Sequence, residues 1–239
     1  MMKHFLRFAD LDKDELDYLF NLTTEVKTAF KDLKKRETLQ DRHLVMIFEK
    51  SSTRTRLAFE LGMNQLGGSA VYLNTKDSQL GRGEPILDSA RVISRMCDLV
   101  MIRTFEQEMI ETFAKHSSVP IINGLTNATH PCQSMADVMT FEELRGPITG
   151  KNVLWLGDGN NVCASTLHAA GQFGFNFTFS GPESLNPGPK YLEYAKSKNI
   201  SVNIDSDPEN AIKNADLIMT DTWSSMHDQK GSNYEDRRK

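Results

Sequence analysis

Short runs rich in apolar residues, too brief for helices, recur along the chain and alternate with stretches of helical spacing. Leu44-Val45-Met46-Ile47-Phe48 is the clearest. A run of that length, apolar at every position, fits a strand covered on both faces, as in a parallel sheet flanked by helices. Comparable runs at 69–73, 98–102, 119–122, 152–156, 175–179, 200–203 and 215–219 alternate with helical patterns, so the fold class is α/β with parallel sheets. Gly146, Pro147 and Gly150 interrupt the alternation between a helix and a fresh strand. They predict two parallel-sheet α/β domains, 1–146 and 147–226. Beyond Met226, Tyr234 is the only large apolar residue, so 227–239 is expected to be a disordered tail.

Within this frame the first helix is legible at its start. Asp12 with Glu15 forms a capping-box pattern, Leu11 and Leu16 a hydrophobic staple, and Leu16, Leu19, Phe20, Val26, Phe30 and Leu33 a stripe expected to bury one face.

Composition removes several function classes. With 28 Lys+Arg against 32 Asp+Glu the formal charge is -4, so no basic field invites nucleic acid or an anionic membrane. No apolar run reaches membrane-spanning length, and the Met1–Arg7 start lacks the apolar core of a secretory signal. Cys97, Cys132 and Cys163 are odd in number and too far apart for a zinc knuckle or redox pair, which fits a reducing cytoplasm.

The polar residues gather where the predicted strands end. After 44–48 comes Glu49-Lys50-Ser51-Ser52-Thr53-Arg54-Thr55-Arg56, and a helical pattern starts at Thr53 and stops at Gly67-Gly68. The free N–H groups of that helix, the hydroxyls of Ser52, Thr53 and Thr55, and the Arg54 guanidinium would converge, and phosphate best uses such a convergence. An exposed Ser/Thr/Arg turn capping a surface helix has the same spacing. Arg103 follows the strand at 98–102, at the end where ligands collect in open α/β sheets. The alternative there is a surface pair with Glu106 or Glu108. After the strand at 119–122, Pro131 suits the first helical position, leaving His130 at the cap and Gln133 in the first turn. The polar loop holding Gln79-Leu80-Gly81-Arg82 is long for a simple connection, which marks it as functional.

A second turn, Gly157-Asp158-Gly159-Asn160-Asn161, invites a dinucleotide reading. The third small position is Val162, however, and Glu183 is badly placed for a ribose. Asn160 and Asn161 instead suggest amides held out to a polar ligand.

Six features, Ser52-Thr53-Arg54-Thr55-Arg56, the Gln79-Leu80-Gly81-Arg82 loop, Arg103, His130-Pro131-Cys132-Gln133, Gly157-Asp158-Gly159-Asn160-Asn161 and Thr220-Asp221-Thr222-Trp223-Ser224-Ser225-Met226, resemble the aspartate/ornithine transcarbamoylase family in order and spacing. The glycine turn and the Asp-Thr-Trp loop point to its ornithine branch. The resemblance spans 3–226. It implies an active site in the cleft between the domains, where carbamoyl phosphate and L-ornithine give L-citrulline and phosphate in arginine metabolism, with no metal or organic cofactor. By resemblance Ser52, Thr53, Arg54 and Thr55 hold the phosphate with Arg103. Thr55, Arg103 and His130 polarise the carbamoyl oxygen, and Gln133 accepts from the carbamoyl amino group. Gln79 acts from a neighbouring subunit of a homotrimer or a multiple of trimers. Asn161, Asp221, Ser225 and Met226 grip ornithine. The family's later His-Cys-Leu-Pro segment has no counterpart, and His227 stands where the family has Gly, so the second domain is expected to be incomplete. A non-catalytic carbamoyl phosphate-binding remnant, a transcarbamoylase with another amine acceptor and a nicotinamide oxidoreductase are the alternatives.

Overall fold

A computed structural model describes residues 3–222. The chain divides into two compact units, Met1–Cys132 and Gln133–Lys239. Each carries a four-stranded, wholly parallel sheet.

In the first unit α1 (Lys13–Lys31) starts as its sequence predicts. The Asp12 carboxylate accepts from Glu15 N at 2.9 Å, and the Glu15 carboxylate accepts from Asp12 N at 2.9 Å. Leu11 and Leu16 are both buried. The apolar stripe departs from expectation: Leu16 is its one fully buried member, while Phe30 is 55% exposed and Leu33 93%. Leu19, Phe20 and Val26 are half-buried, so the stripe is covered only in part. Periodicity shows which face is apolar, and burial also needs a partner.

The sheet follows as β1 (His43–Phe48), β2 (Ser69–Asn74), β3 (Leu99–Arg103) and β4 (Ile121–Leu125), in spatial order β2-β1-β3-β4. Helices α2 (Thr53–Gln65), α3 (Ile86–Ile93) and α4 (Gln107–His116) make the crossovers. Alternate residues of β1 serve opposite faces. Val45 and Ile47 join Ala90, Ile110 and Phe113 in one cluster, whereas Leu44, Met46 and Phe48 join Met63 and Met101 in the other. That is why the run is apolar at every position, with each such side chain contributing about 1.5–3 kcal/mol by burial. The N-terminal segment adds to the β4 edge, where Phe5 N donates to Ile121 O and Asn123 N to Phe5 O, both at 2.8 Å.

Helix α5 (Pro131–Arg145) begins at the division and runs into the second unit. Its Ser134, Asp137 and Val138 line a small cavity with Ile148, Val153 and Leu217, so its inner face belongs to the second core. The second sheet holds β5 (Asn152–Leu156), β6 (Asn176–Ser180), β7 (Val202–Ile204) and β8 (Leu217–Thr220), ordered β7-β6-β5-β8. Helices α6 (Asn161–Phe173), α7 (Pro189–Ser197) and the short α8 (Pro208–Ala211) link them.

Both sheets reverse direction beside their first strand: β1 has β2 on one side and β3 on the other, and β5 has β6 and β8. Such switch points open a crevice at the carboxyl ends of the two flanking strands.

Candidate active site

At the first switch point the loop after β1 meets the end of β3. Ser52 is the N-cap of α2, its extended backbone (φ -161°, ψ 119°) letting its Oγ accept from Thr55 N at 3.3 Å. Ser52 Oγ also lies 3.0 Å from Thr55 Oγ1. Arg103 Nη1 donates to Thr55 Oγ1 at 3.2 Å and to Gly124 O at 3.4 Å. With Ser52 and Arg103 both directed at its oxygen, the Thr55 hydroxyl keeps its own proton for a third partner.

A local irregularity supplies the second of these acceptors. The β3–β4 register shifts between Ile102 and Arg103, so that Arg103 pairs with Leu125 and Gly124 is left between the paired positions. A side chain at Gly124 would come within 2.4 Å of Met101 Sδ. Only glycine lets β4 lie this close and present that carbonyl to Arg103.

Two cations face each other here. Burial first, and then the neighbouring Arg54, pushes the Arg103 guanidinium down to about 10, which leaves it charged at neutral pH. Its Nε is buried with no hydrogen-bond partner among the described residues. A buried, unpartnered donor beside a like charge is costly unless an anion shares it. Arg54 and Thr53 are exposed in the first turn of α2, where the helix has free backbone N–H groups. Arg56 is engaged elsewhere: its Nε donates to Glu60 at 3.0 Å and its guanidinium lies 4.1 Å from the Tyr72 ring centre.

His130 completes this half. Burial, with the Arg103 charge as the second cause, lowers its pKa from 6.5 to about 4. The imidazole is neutral at physiological pH and carries one N–H donor. Behind the site Glu49 ties the strand ends together, accepting from Thr104 Oγ1 and, at 3.4 Å, from Phe105 N, while Glu49 N donates to Arg103 O at 2.9 Å. Neither Glu49 nor Gly124 stood out in the sequence. The available signal was their position, one at a strand end and the other inside a run too apolar to need a glycine.

Gln79 lies apart from this cluster. It is exposed, preceding the 3-10 turn Leu80–Arg82, and its backbone carbonyl accepts from Arg82 N and Glu84 N. Gly81 packs on the Thr75 carbonyl, where a side chain would approach to 2.2 Å, which fixes the loop's shape.

At the second switch point Asn160, rather than Asn161, is the N-cap of α6. Its Oδ1 accepts from Val162 N at 2.9 Å and Cys163 N at 3.1 Å, and its Nδ2 donates to Asp221 Oδ2 at 2.7 Å. Asn161 is the first helical residue and is half-buried. Asp221 is exposed just past β8, its Oδ1 accepting from Thr222 N at 2.7 Å. Gly159 packs on the Leu185–Pro187 backbone, where a side chain would meet Pro187 N at 2.5 Å. Its role in this fold is close approach to its own chain, not to a pyrophosphate. Gln133, in the first turn of α5, donates from Nε2 to Asp137 Oδ1 at 2.9 Å. Ser225, Met226 and the 227–239 segment lie outside the described residues. Among the described residues no cluster of His, Cys, Asp and Glu could hold a metal ion, and no helix is long and apolar enough to cross a membrane.

Known proteins place this arrangement. Residues 3–143 match the family model described as aspartate/ornithine carbamoyltransferase, carbamoyl-P binding domain, and residues 149–239 match its Asp/Orn binding domain. An ornithine carbamoyltransferase of Cereibacter sphaeroides is 52% identical over 236 residues, covering 97% of this chain and 77% of that protein. One from Dechloromonas aromatica is 55% identical over 225 residues, 94% of this chain and 73% of that protein. Among solved structures, the ornithine carbamoyltransferase of Pyrococcus furiosus superposes with a TM-score of 0.93 at 38% identity, over 99% of this chain and 77% of that one. That of Burkholderia thailandensis gives 0.88 at 46% identity, over 99% and 78%.

Proposed function

The chain belongs to the aspartate/ornithine carbamoyltransferase family, and on that premise we propose that it transfers the carbamoyl group of carbamoyl phosphate to the δ-amino group of L-ornithine, giving L-citrulline and phosphate. The observation that carries the reading is the first switch point, where the Ser52 cap of α2 and the Thr55 hydroxyl meet Arg103, whose buried guanidinium Nε has no partner among the described residues and which feels the charge of Arg54.

Each group has a task in that reaction. Ser52, Thr53, Arg54 and the first N–H groups of α2 hold the phosphate, which leaves as a dianion. Arg103 bridges phosphate and carbonyl, since one of its nitrogens is bound to Thr55 and another is still available. As the neutral δ-amine attacks the carbonyl carbon, the C=O electron pair moves to oxygen, and Thr55, Arg103 and neutral His130 donate to that oxyanion. Collapse of the tetrahedral intermediate re-forms C=O and breaks the C–O bond to phosphate, and the proton lost from nitrogen passes to the departing phosphate, which is released as the dianion HPO₄²⁻. An amine nucleophile and a phosphate leaving group need no metal or organic cofactor to meet in this way. Gln133 accepts from the carbamoyl NH₂. Asp221 pairs with the ornithine α-ammonium while Asn161, Ser225 and the Met226 backbone take its carboxylate end, because a zwitterion needs one anion and several neutral donors. Gln79 reaches the site of a neighbouring copy in a homotrimer, which suits an exposed residue on a shaped loop. The setting is the cytoplasm.

The test is citrulline and phosphate formation from carbamoyl phosphate and ornithine, expected in a 1:1 ratio. Arg54→Ala is expected to weaken carbamoyl phosphate binding about 100-fold, the loss of a charge-assisted contact, and Arg56→Ala by less than about 3-fold. Equal effects of the two substitutions, or phosphate release without citrulline, would reject the assignment.

A further inference from the structure

We propose that Asp137 is a positioning residue that sets which end of the Gln133 carboxamide faces the carbamoyl group, a proposal that rests on the role given to Gln133 above. The two residues sit one helical turn apart near the start of α5, and Gln133 Nε2 donates to Asp137 Oδ1 at 2.9 Å. Gln133 is the one hydrogen-bond partner of the Asp137 carboxylate among the described residues.

A glutamine amide is nearly symmetric in shape and opposite in chemistry at its two ends. To recognise a carbamoyl NH₂ it must present oxygen, and if it turned over it would present N–H to N–H. An ionised carboxylate only accepts hydrogen bonds. Asp137 therefore holds the NH₂ end of Gln133 and sends Oε1 the other way, for the cost of one bond within a helical turn. An asparagine at 137 would satisfy either orientation, because it both donates and accepts.

The surroundings argue that the carboxylate is not an incidental surface group. Asp137 is half-buried and borders a cavity with Val138, Ile148, Val153 and Leu217. Apolar burial is the first cause raising its pKa and repulsion from Asp221 another, while the Gln133 hydrogen bond opposes both. Two influences disfavour this charge, and the hydrogen bond from Gln133 is the side-chain contact that favours it, so the two groups are matched as donor and acceptor.

The test separates orientation from folding with two stable analogues. Phosphonoacetamide keeps the carboxamide NH₂ of the substrate, whereas acetonylphosphonate has a methyl group in its place. The wild-type chain is expected to prefer phosphonoacetamide, and Gln133→Ala to abolish that preference. Asp137→Asn is expected to lower phosphonoacetamide affinity about 10-fold, roughly 1.4 kcal/mol, and to leave acetonylphosphonate affinity within about 2-fold. Asp137→Glu, which again only accepts, is expected to recover the preference, and Asp137→Asn added to Gln133→Ala to have no further effect. An Asp137→Asn chain that keeps the wild-type preference overturns this proposal while leaving Gln133 in its role. Equal preference in wild type and Gln133→Ala overturns the Gln133 reading and this proposal with it. If neither Asp137 variant holds acetonylphosphonate, the residue serves folding alone and the proposal fails.

Discussion

The two switch points share a plan and differ in how tightly they are built. At each, a helix N-cap sits after the central strand and a charged residue ends the neighbouring one: Ser52 with Arg103, and Asn160 with Asp221. In the first unit the charged group is half-buried and joined to Thr55 and Gly124 by bonds that close loops of 48 and 21 residues. In the second the charged group is exposed and held by one side chain and its own neighbour's N–H. The difference matches what the proposed reaction would ask of each half. A departing phosphate and an oxyanion need donors fixed in advance, where reorientation would cost rate. An amino acid's zwitterionic end needs recognition, which tolerates a softer site.

If the first site is the preorganised one, Arg103→Ala should have the largest effect in the molecule. It removes a donor from both oxygens and leaves Thr55 Oγ1 and Gly124 O without their bond, so kcat/KM is expected to fall at least about 10³-fold, mostly in kcat. A loss confined to the KM for ornithine would break the comparison.

His130 tests the same rigidity through stability. Its pKa falls from 6.5 to about 4 on folding, so below pH 6.5 the unfolded chain takes up a proton that the folded chain refuses. Stability is therefore lost as pH falls from about 6.5 to about 4, by roughly 3 kcal/mol over the window. His130→Gln cannot titrate and is expected to remove that share of the slope in urea denaturation at pH 7 and pH 4.5. Parallel slopes in the two proteins would mean that the imidazole is not held neutral.

Much of this was legible in the sequence because the informative residues are contiguous. The run 44–48 and the Ser52-Thr53-Arg54-Thr55 turn declare a strand and a helix cap within a dozen positions, and Asp12 with Glu15 declares the start of α1. What spacing could not supply was contact at distance. Nothing in the order of residues says that Arg103 bonds Thr55 rather than Glu106 or Glu108, or that Gly124 lies in a register shift. Nor does the order of residues say that Gln133 bonds Asp137, a contact seen only in the structure. The α1 stripe failed for the converse reason, since its pattern is right but Phe30 and Leu33 stay exposed. The two asparagines were distinguished only by backbone geometry, which puts Asn160 in the cap and Asn161 in the helix.

The softer half should answer to charge more than to geometry. Asp221→Asn keeps the shape and can still accept from Asn160, so it is expected to raise the KM for ornithine about 10-fold and to leave carbamoyl phosphate binding unchanged, as loss of one exposed charge pair would. An equal rise in the carbamoyl phosphate KM would show the two sites to be less separable than their construction suggests.

The smallest expected effect compares the two caps directly. Ser52→Ala and Asn160→Ala each remove a side-chain acceptor from a helix N-terminus, a loss of about 1 kcal/mol, or about 2–4 °C in Tm for a chain of this size. Their consequences should then diverge. Ser52 Oγ also lies against Thr55 Oγ1, so its loss frees the hydroxyl that Arg103 binds and should weaken inorganic phosphate binding several-fold beyond the stability change. Asn160→Ala should leave phosphate binding alone and release Asp221, adding to the KM for ornithine. If both substitutions cost stability equally and neither moves its own ligand, the caps merely start helices, and the contrast between a rigid and a soft half must rest on Arg103 and Asp221 alone.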